Sequence, residues 1–251
     1  MAWYTAVFLG LVQGVAEFLP ISSSGHLLLF QHLFGVTDGG LLFTIILHLA
    51  TLLAVVVVYR QRLWQLMKTP FCRYNWLLVV ATLITCVFVV CFQGLIDRCF
   101  GFNALPFMFM VGGVYLLLPG LCQPRPRQKP WWQAVAMGLA QGVAVVPGLT
   151  RSGLTMTTGQ LAGLPKDQAA DFSFIMSIPI IIASLVYEVL HGATLVQIGW
   201  GPLVLAFVTA FVSGVWAIKW LLRLLRQVDL RWFAFYLLLL GGGLLLYRGF
   251  F

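Results

Sequence analysis

Residues Glu17–His26 read EFLPISSSGH and interrupt a stretch of sequence that is otherwise almost entirely apolar. The stretch holds a carboxylate, three hydroxyls and an imidazole, with Pro20 among them. Because proline lacks a backbone N–H and clashes with the preceding turn, Pro20 predicts two short helices in place of one long helix. An ionisable side chain at membrane depth costs about 3 kcal/mol or more, so Glu17 is a candidate functional residue.

The composition is that of a membrane protein. Of 251 residues, 61% are hydrophobic and only 9% are charged, whereas a soluble domain has roughly 25% charged residues. The net charge of +8 does not indicate a nucleic-acid partner, because the basic residues lie in short loops between apolar runs, as in cytoplasmic loops. We therefore predict an all-α polytopic membrane protein whose surroundings are membrane lipid.

Six apolar runs are long enough, or nearly so, to cross the roughly 30 Å of hydrocarbon in a bilayer. Alternate loops between the runs are basic, which orients all six consistently if the basic loops face the cytoplasm. The runs are 41–59, 76–93, 104–120, 172–190, 202–221 and 232–248. The basic residues are Arg60, Arg62, Lys68 and Arg73, then Arg125, Arg127 and Lys129, then Arg223, Arg226 and Arg231.

Two further apolar segments, residues 1–35 and 131–165, are broken in the middle. Pro20 breaks the first segment, and Pro147-Gly148 breaks the second. Each half is too short to span a bilayer alone, so each segment predicts a re-entrant helix hairpin. Such a hairpin is tolerated only where protein buries it or where it lines a wet cavity.

The two broken segments are copies of one another. Residues 10–16, GLVQGVA, match residues 138–144, GLAQGVA, at a shift of 128, and this shift also maps the first three apolar runs onto the last three. Because three spans per copy is an odd number, the second copy must be inverted in the membrane. The predicted fold is one membrane domain with an inverted-topology repeat, its halves about 1–125 and 129–251. Each half is one re-entrant hairpin plus three transmembrane helices, giving six spans.

The predicted tips of the two hairpins carry complementary polar groups. Each tip has Ser or Thr followed by glycine just before its second half-helix, which suits an N-cap with close backbone approach. Two helix N-termini and one guanidinium together form an anion site suited to phosphate. The first tip carries Glu17, Ser22, Ser23, Ser24, Gly25 and His26, and the second carries Thr150, Arg151, Ser152, Gly153 and Thr155.

At this point the chain resembles a known family, the undecaprenyl-diphosphate phosphatases, also called bacitracin-resistance proteins. The resemblance lies in QGVAEFLPISSSGH, PGLTRSG and DFSFIMSIPIIIAS, and it extends over essentially the whole chain. It implies hydrolysis of undecaprenyl diphosphate to undecaprenyl phosphate and inorganic phosphate, which recycles the lipid carrier for cell-envelope synthesis and gives bacitracin resistance. It also implies a bacterial inner membrane location, with an active site that opens toward the periplasm.

The resemblance assigns catalytic positions to Glu17, Ser23, His26 and Arg151. Arg151 would bind the diphosphate. Ser23 is the first candidate nucleophile, while His26 would activate Ser23, protonate the leaving oxygen or itself attack; water is a further alternative. Glu17 would orient His26 or bind a divalent cation, Mg²⁺ or Ca²⁺, which the resemblance implies as cofactor. Predicted substrate-binding residues are Gln13, Ser22, Ser24, Gly25, Thr150, Ser152, Gly153 and Thr155.

Two positions depart from the family pattern, and two other functions compete. Gln13 stands where some members have a second glutamate, and Thr150 replaces a serine. Inverted repeats with broken helices are also typical of transporters, so a polyprenyl-phosphate flippase using the same anion site is an alternative. The SSGH stretch is also similar to the PSGH of the acid phosphatases, but His191 lies too far along the chain for their second histidine. Association into a homodimer is left open.

Overall fold

The computed structural model describes residues 1–36, 41–122, 129–190, 199–225, 227 and 229–249. These residues form eleven helices and no strand. The helices are α1 (Trp3–Phe18), α2 (Ser23–Leu33), α3 (Leu41–Val58), α4 (Arg60–Lys68), α5 (Arg73–Arg98), α6 (Leu105–Cys122), α7 (Pro130–Val143), α8 (Arg151–Leu161), α9 (Lys166–Leu190), α10 (Trp200–Leu224) and α11 (Arg231–Gly249). Arg125, Arg127, His191 and Arg226 of the sequence analysis lie outside the described residues.

Both broken segments are interrupted where the prolines predict. Helix α1 ends at Phe18 and α2 begins at Ser23, with Pro20 in the turn between them. Helix α7 ends at Val143 and α8 begins at Arg151. In each pair the two helices pack against each other, so each segment forms a helix–turn–helix unit. Gly148, in the second turn, has φ +94°, a backbone conformation that glycine adopts without steric cost.

Every predicted apolar run forms helix, but fewer than six helices meet the length and hydropathy expected of a span. Helices α5, α6, α9 and α10 meet both. Helix α3 together with α4 gives a fifth candidate that is bent by 75°. The run 232–248 forms α11, where Arg231–Tyr247 is a shorter apolar helix. The described part of the chain therefore has four candidate membrane spans, or five with the bent pair.

Packing partners correspond between the two halves. Helix α1 packs along α10, and its counterpart α7 packs along α5, the counterpart of α10. Helix α3 packs on α10 as α9 packs on α5, and in the pairs α6 with α11 and α3 with α9 a helix packs on its own counterpart. The repeat in the sequence is thus accompanied by matching neighbours in the fold.

Small residues bring the hairpin helices close to their neighbours. A Cβ added at Gly14 would lie 2.3 Å from the carbonyl oxygen of Ala210 in α10. A Cβ added at Gly138 would lie 2.5 Å from the carbonyl oxygen of Ala81 in α5. Close backbone approach at small residues is the usual basis of helix packing in membranes, where lipid supplies no hydrophobic drive for helices to associate. These contacts fix α1 and α7 and therefore fix the turns that follow them.

Candidate active site

Glu17 joins the two hairpins at their tips. Its carboxylate is buried, with only 6% of the residue exposed. Oε1 forms an ion pair with the guanidinium of Arg151. Oε2 accepts hydrogen bonds from Ser23 Oγ at 2.5 Å and from Gln13 Nε2 at 3.1 Å. Three of the four predicted catalytic residues are therefore in direct contact around one carboxylate.

Side-chain caps define where the second helix of each hairpin begins. Ser22 Oγ accepts a hydrogen bond from the Gly25 N–H at 3.3 Å, and Thr150 Oγ1 accepts one from the Gly153 N–H at 3.1 Å. Because of these N-caps, Ser23 and Arg151 are the first residues of α2 and α8. Both side chains thus lie at helix N-termini, where free N–H groups and the helix dipole favour bound anions.

Ser22 holds a backbone conformation that is unusual for a residue with a Cβ. Its φ is +71°, and it is the one described non-glycine residue with positive φ. Such a conformation costs on the order of 1–3 kcal/mol and is found preferentially at functional sites. The Oγ cap and the Ser22 carbonyl, which accepts from His26 Nδ1 at 2.8 Å, hold this turn in place. The strained residue directly precedes Ser23.

The two tips contact each other through backbone and small side chains. Ser152 Oγ donates to the Leu19 carbonyl at 3.1 Å. A Cβ on Gly25 would lie 3.1 Å from Gly148 Cα, and a Cβ on Gly153 would lie 3.1 Å from Pro20 Cβ. Gly25 and Gly153 are equivalent positions of the repeat, as are Pro20 and Gly148. The contact is therefore reciprocal, and it sets the distance between Glu17 and Arg151.

His26 lies in the same region but does not contact the predicted nucleophile through a hydrogen bond. With the Ser22 carbonyl as acceptor, Nδ1 carries the hydrogen, and Nε2 accepts from the Tyr236 hydroxyl of α11 at 2.6 Å. The His26 and Tyr236 rings are also stacked, with centroids 5.7 Å apart. The structure thus brings His26 to Tyr236. Ser23 is bonded instead to Glu17, which does not orient His26 here.

The remaining predicted binding residues divide into two groups. Thr155 is fully buried and donates to the Arg151 carbonyl at 2.7 Å, with Ser173 Oγ of α9 also 2.6 Å away. Thr155 therefore supports α8. Thr150 and Ser152 share a hydroxyl contact of 3.3 Å and are both buried. Ser24, by contrast, is partly exposed beside Ser23.

The residues present suit a divalent cation only in part. No cluster of three or more His, Cys, Asp or Glu side chains occurs among the described residues. Glu17 is the carboxylate of the site, and Gln13 Oε1 is buried without a hydrogen-bond partner. Two oxygen donors are too few for an all-protein site, but Mg²⁺ is commonly held by one or two protein oxygens together with substrate phosphates and water. The donor set fits a cation that arrives with a phosphorylated substrate.

Comparison with known proteins extends over almost the whole chain. A family model described as "Bacitracin resistance protein BacA" matches residues 6–243. The chain belongs to this family. Relatives named undecaprenyl-diphosphatase include one from Carboxydothermus hydrogenoformans, 36% identical over 95% of this chain and 94% of the relative. One from Treponema denticola is 36% identical over 98% of each chain. A relative from Shouchella clausii, named undecaprenyl-diphosphatase 1, is 38% identical over 94% of this chain and 93% of its own length.

Two side chains near the site of this bacitracin resistance family member were not predicted from the sequence. Ser173 supports Thr155, and it lies within the DFSFIMSIP stretch that had already matched the family. Tyr236 has no comparable signal. It lies in an ordinary apolar run, and its repeat counterpart is Met108. The fold brings it to His26, since α11 packs against α6 and Phe109 of α6 also contacts the His26 ring.

Proposed function

We infer that this chain is an undecaprenyl-diphosphatase, an integral membrane hydrolase that converts undecaprenyl diphosphate to undecaprenyl phosphate and inorganic phosphate. The observation that carries this conclusion is the match to the bacitracin resistance family over residues 6–243, with relatives of that enzyme name along nearly the full length. The activity recycles the lipid carrier for cell-envelope synthesis and confers bacitracin resistance. The substrate is a polyprenyl diphosphate embedded in the membrane.

We propose that Ser23 is the attacking group and that Glu17 accepts its proton. The 2.5 Å hydrogen bond from Ser23 Oγ to Glu17 Oε2 is the geometry that such a nucleophile–base pair needs. Ser23 Oγ would form a bond to the terminal phosphorus while the bond from that phosphorus to the bridging oxygen breaks. Undecaprenyl phosphate leaves, and water then hydrolyses the phosphoserine to release phosphate.

Arg151 is proposed to bind the diphosphate and stabilise its charge during transfer. Its guanidinium now pairs with Glu17, and a bound phosphate would compete for the same N–H groups, since arginine binds phosphate through two parallel hydrogen bonds. That exchange frees Oε1 of Glu17 as the substrate binds. The N-termini of α2 and α8 add backbone N–H donors to the same anion.

His26 keeps two proposed roles. As a neutral imidazole with hydrogen on Nδ1, it would attack phosphorus through Nε2 and displace undecaprenyl phosphate; as an imidazolium protonated from water, it would donate the Nε2 proton to the leaving oxygen. Either role requires Nε2 to exchange its present 2.6 Å bond with Tyr236 for a substrate oxygen or phosphorus. Activation of Ser23 by His26 has less support, because the Ser23 hydroxyl bonds to Glu17.

A divalent cation is proposed to bind with the substrate, held by Glu17 and the unpartnered Oε1 of Gln13 and by phosphate oxygens. The cation, Mg²⁺ or Ca²⁺, would neutralise phosphate charge. Gln13→Glu tests this. It places a second carboxylate beside Glu17, so we expect the metal concentration for half-maximal activity to fall about tenfold. Gln141→Glu at the equivalent repeat position is the matched control, and an unchanged requirement in Gln13→Glu would remove Gln13 from the metal site.

We propose the inverted topology in its full form, with two re-entrant hairpins, six spans and a site that opens to the periplasm in the bacterial inner membrane. Matched helix partners in the two halves and the reciprocal contacts of Gly25 and Gly153 support it. Labelling of single cysteines from either side tests it. Positions 64, 227 and 100 are exposed; positions 64 and 227 should label from the cytoplasm and position 100 from the periplasm, and labelling of all three from one side contradicts the proposal.

The decisive experiment measures phosphate release from a polyprenyl diphosphate by the purified protein, with and without Mg²⁺ or Ca²⁺. Ser23→Ala, Glu17→Gln, His26→Ala and Arg151→Ala should each lose on the order of 10²-fold or more in kcat. Thr82→Ala is the matched control, since it removes a hydroxyl outside the site that bonds to the Leu78 carbonyl of its own helix, α5. Substrate binding without phosphate release under any metal condition would refute the hydrolase and favour the flippase alternative, which has no support of its own here.

A further inference from the structure

A groove lies at the basic end of the molecule, away from the site around Glu17. It has a volume of about 950 Å³ and lies between α5, α7 and the start of α9. Gly163 and Leu164, which follow the C-terminal end of α8, line it. Because α8 begins at Arg151 and an eleven-residue helix is about 16 Å long, this groove is separate from the proposed active site.

The rim of this groove is cationic and aromatic. Arg62 and Arg73 line it together with Tyr74. The Arg62 guanidinium lies over the Tyr74 ring, 5.1 Å from its centroid, a stacked position that leaves the in-plane N–H groups available for a phosphate. Neither arginine forms an ion pair with a described carboxylate. Asp171 also lines the groove, but its Oδ1 accepts the Tyr59 hydroxyl at 2.7 Å.

The floor of the groove is apolar. Leu77 of α5, Met137 of α7 and Phe172 of α9 line it and belong to one buried cluster. An apolar floor offers no favourable contact to a free phosphate ion. The groove volume of about 950 Å³ is also at the upper end for small-molecule sites. A ligand with a phosphate at one end and a hydrocarbon chain at the other matches both the rim and the floor.

The neighbouring helix α4 indicates that the rim lies at headgroup level. It is bent 75° from α3 and exposes Trp64 and Met67 beside Arg60, Arg62 and Lys68. A short basic helix with exposed Trp and Met side chains, turned away from the span before it, suits the membrane interface. Basic pockets between membrane helices on the cytoplasmic side bind lipid headgroups.

We propose that this groove binds an anionic phospholipid, with its phosphodiester between Arg62 and Arg73 and an acyl chain on the apolar floor. The site is independent of the proposed hydrolase activity. It does not use Glu17, Ser23 or Arg151, so bound lipid would stabilise the packing of α5, α7 and α9 without taking part in phosphate release.

The test is native mass spectrometry of the full-length protein in detergent, with phosphatidylglycerol, phosphatidylcholine and phosphatidylethanolamine added in turn. An arginine near the surface changes affinity for an anionic lipid about fivefold, so the double variant Arg62→Gln/Arg73→Gln should retain about 25-fold less phosphatidylglycerol than wild type. Arg98→Gln, at the opposite end of α5 and likewise exposed, should retain as much as wild type. All these arginines lie on the surface, and thermal unfolding of each variant checks that it remains folded.

Three results would overturn the proposal. Equal retention of phosphatidylglycerol and phosphatidylcholine by wild type would show that no anionic site exists. Stronger retention of phosphatidylethanolamine would show that Asp171 recognises an ammonium group and that the site is zwitterionic. Displacement of phosphatidylglycerol by millimolar inorganic phosphate would identify a free-phosphate site. None of these results bears on phosphate release, so the lipid site and the proposed hydrolase activity are tested independently.

Discussion

Loss of Arg151 should destabilise the protein through the carboxylate it leaves behind. Glu17 has 4% of its side chain exposed and Arg151 20%, so Arg151→Met leaves a buried carboxylate with only two neutral donors, Ser23 and Gln13. Breaking a buried pair from one side costs about 3–5 kcal/mol. The partial exposure of Arg151 places the expected loss near the lower limit, about 3 kcal/mol.

Removing both charges should restore most of the lost stability. In Glu17→Gln/Arg151→Met no buried charge remains, and the glutamine can still accept from Ser23. Replacement of a buried ion pair by neutral groups is often close to neutral in stability. Thermal unfolding followed by tryptophan fluorescence in detergent measures the difference. At about 2–4 °C per kcal/mol for a chain of this size, Arg151→Met should lower the Tm by roughly 6–12 °C.

The Tm values of the single and double variants show whether the unpaired Glu17 carboxylate causes the loss of stability. Glu17→Gln alone should cost less than Arg151→Met, since the more exposed guanidinium can be hydrated. Arg98→Met, an exposed arginine, should change the Tm by about 1 °C or less. A double variant no more stable than Arg151→Met would refute the reasoning, because the loss could not then come from an unpaired Glu17 carboxylate.

Three other outcomes are expected. Tyr236→Phe removes the hydroxyl bonded to His26 Nε2, so kcat should fall about fivefold to tenfold with little change in KM, and its pH profile should shift. Gly14→Ala should lower the Tm by several degrees, because the new Cβ lies 2.3 Å from a carbonyl oxygen of α10. The hydrogen bond from Lys166 holds the pKa of Asp229 below its usual value, so Asp229 adds stability above about pH 4 that is lost as pH falls through its folded pKa. Asp229→Asn should therefore lower the Tm by about 1–2 °C at pH 7, and this loss should shrink as the pH falls below about 4.

Each of these three variants has a control, and for each one a specific result would contradict the prediction. Tyr115→Phe removes another partly buried tyrosine hydroxyl, which is bonded to Thr158, and should leave the pH profile of kcat unchanged. If the pH profile of Tyr236→Phe is the same as that of wild type, Tyr236 does not belong to the site. A Cβ added at Gly94 would lie in open space, so Gly94→Ala should leave the Tm unchanged. An unchanged Tm in Gly14→Ala would contradict the close contact between α1 and α10. A Tm deficit of Asp229→Asn that keeps the same size as the pH falls below about 4 would exclude the ion pair as its cause.

Much of the fold follows from local chemistry in the sequence. Pro20 and Pro147 end helices by removing a donor, and the caps at Ser22 and Thr150 begin the next ones. The repeat brought Arg151 into register with Ser23, which predicted that acid, hydroxyl and guanidinium would meet. The number of spans was harder to predict, since the apolar part of α11, Arg231–Tyr247, is short for a span and α3 is followed by α4 at a bend of 75°.

The orientation of His26 could not be predicted in the same way. Helical spacing places His26 one turn after Ser23, on a shared face, which suggested a direct pair. The His26 side chain is instead held by Tyr236, 210 residues further along the chain, and by the Ser22 carbonyl, which accepts from both the backbone N–H and Nδ1 of His26. Contacts between distant helices carry no local signature, and the positive φ of a serine is not encoded in any short motif.

The ion pair at the tips has a consequence for how the protein is made. Its two partners are 134 residues apart, and synthesis proceeds from the N-terminus. In the re-entrant topology proposed above, the first hairpin enters the bilayer with a carboxylate whose counter-ion has not yet been translated, which costs about 3 kcal/mol at membrane depth. Until the second hairpin arrives, Glu17 must be hydrated, protonated or sheltered by the insertion machinery. The proposed active site would thus be completed late in biogenesis, and a chain truncated before α7 would be recognisable to quality control by its unpaired acid.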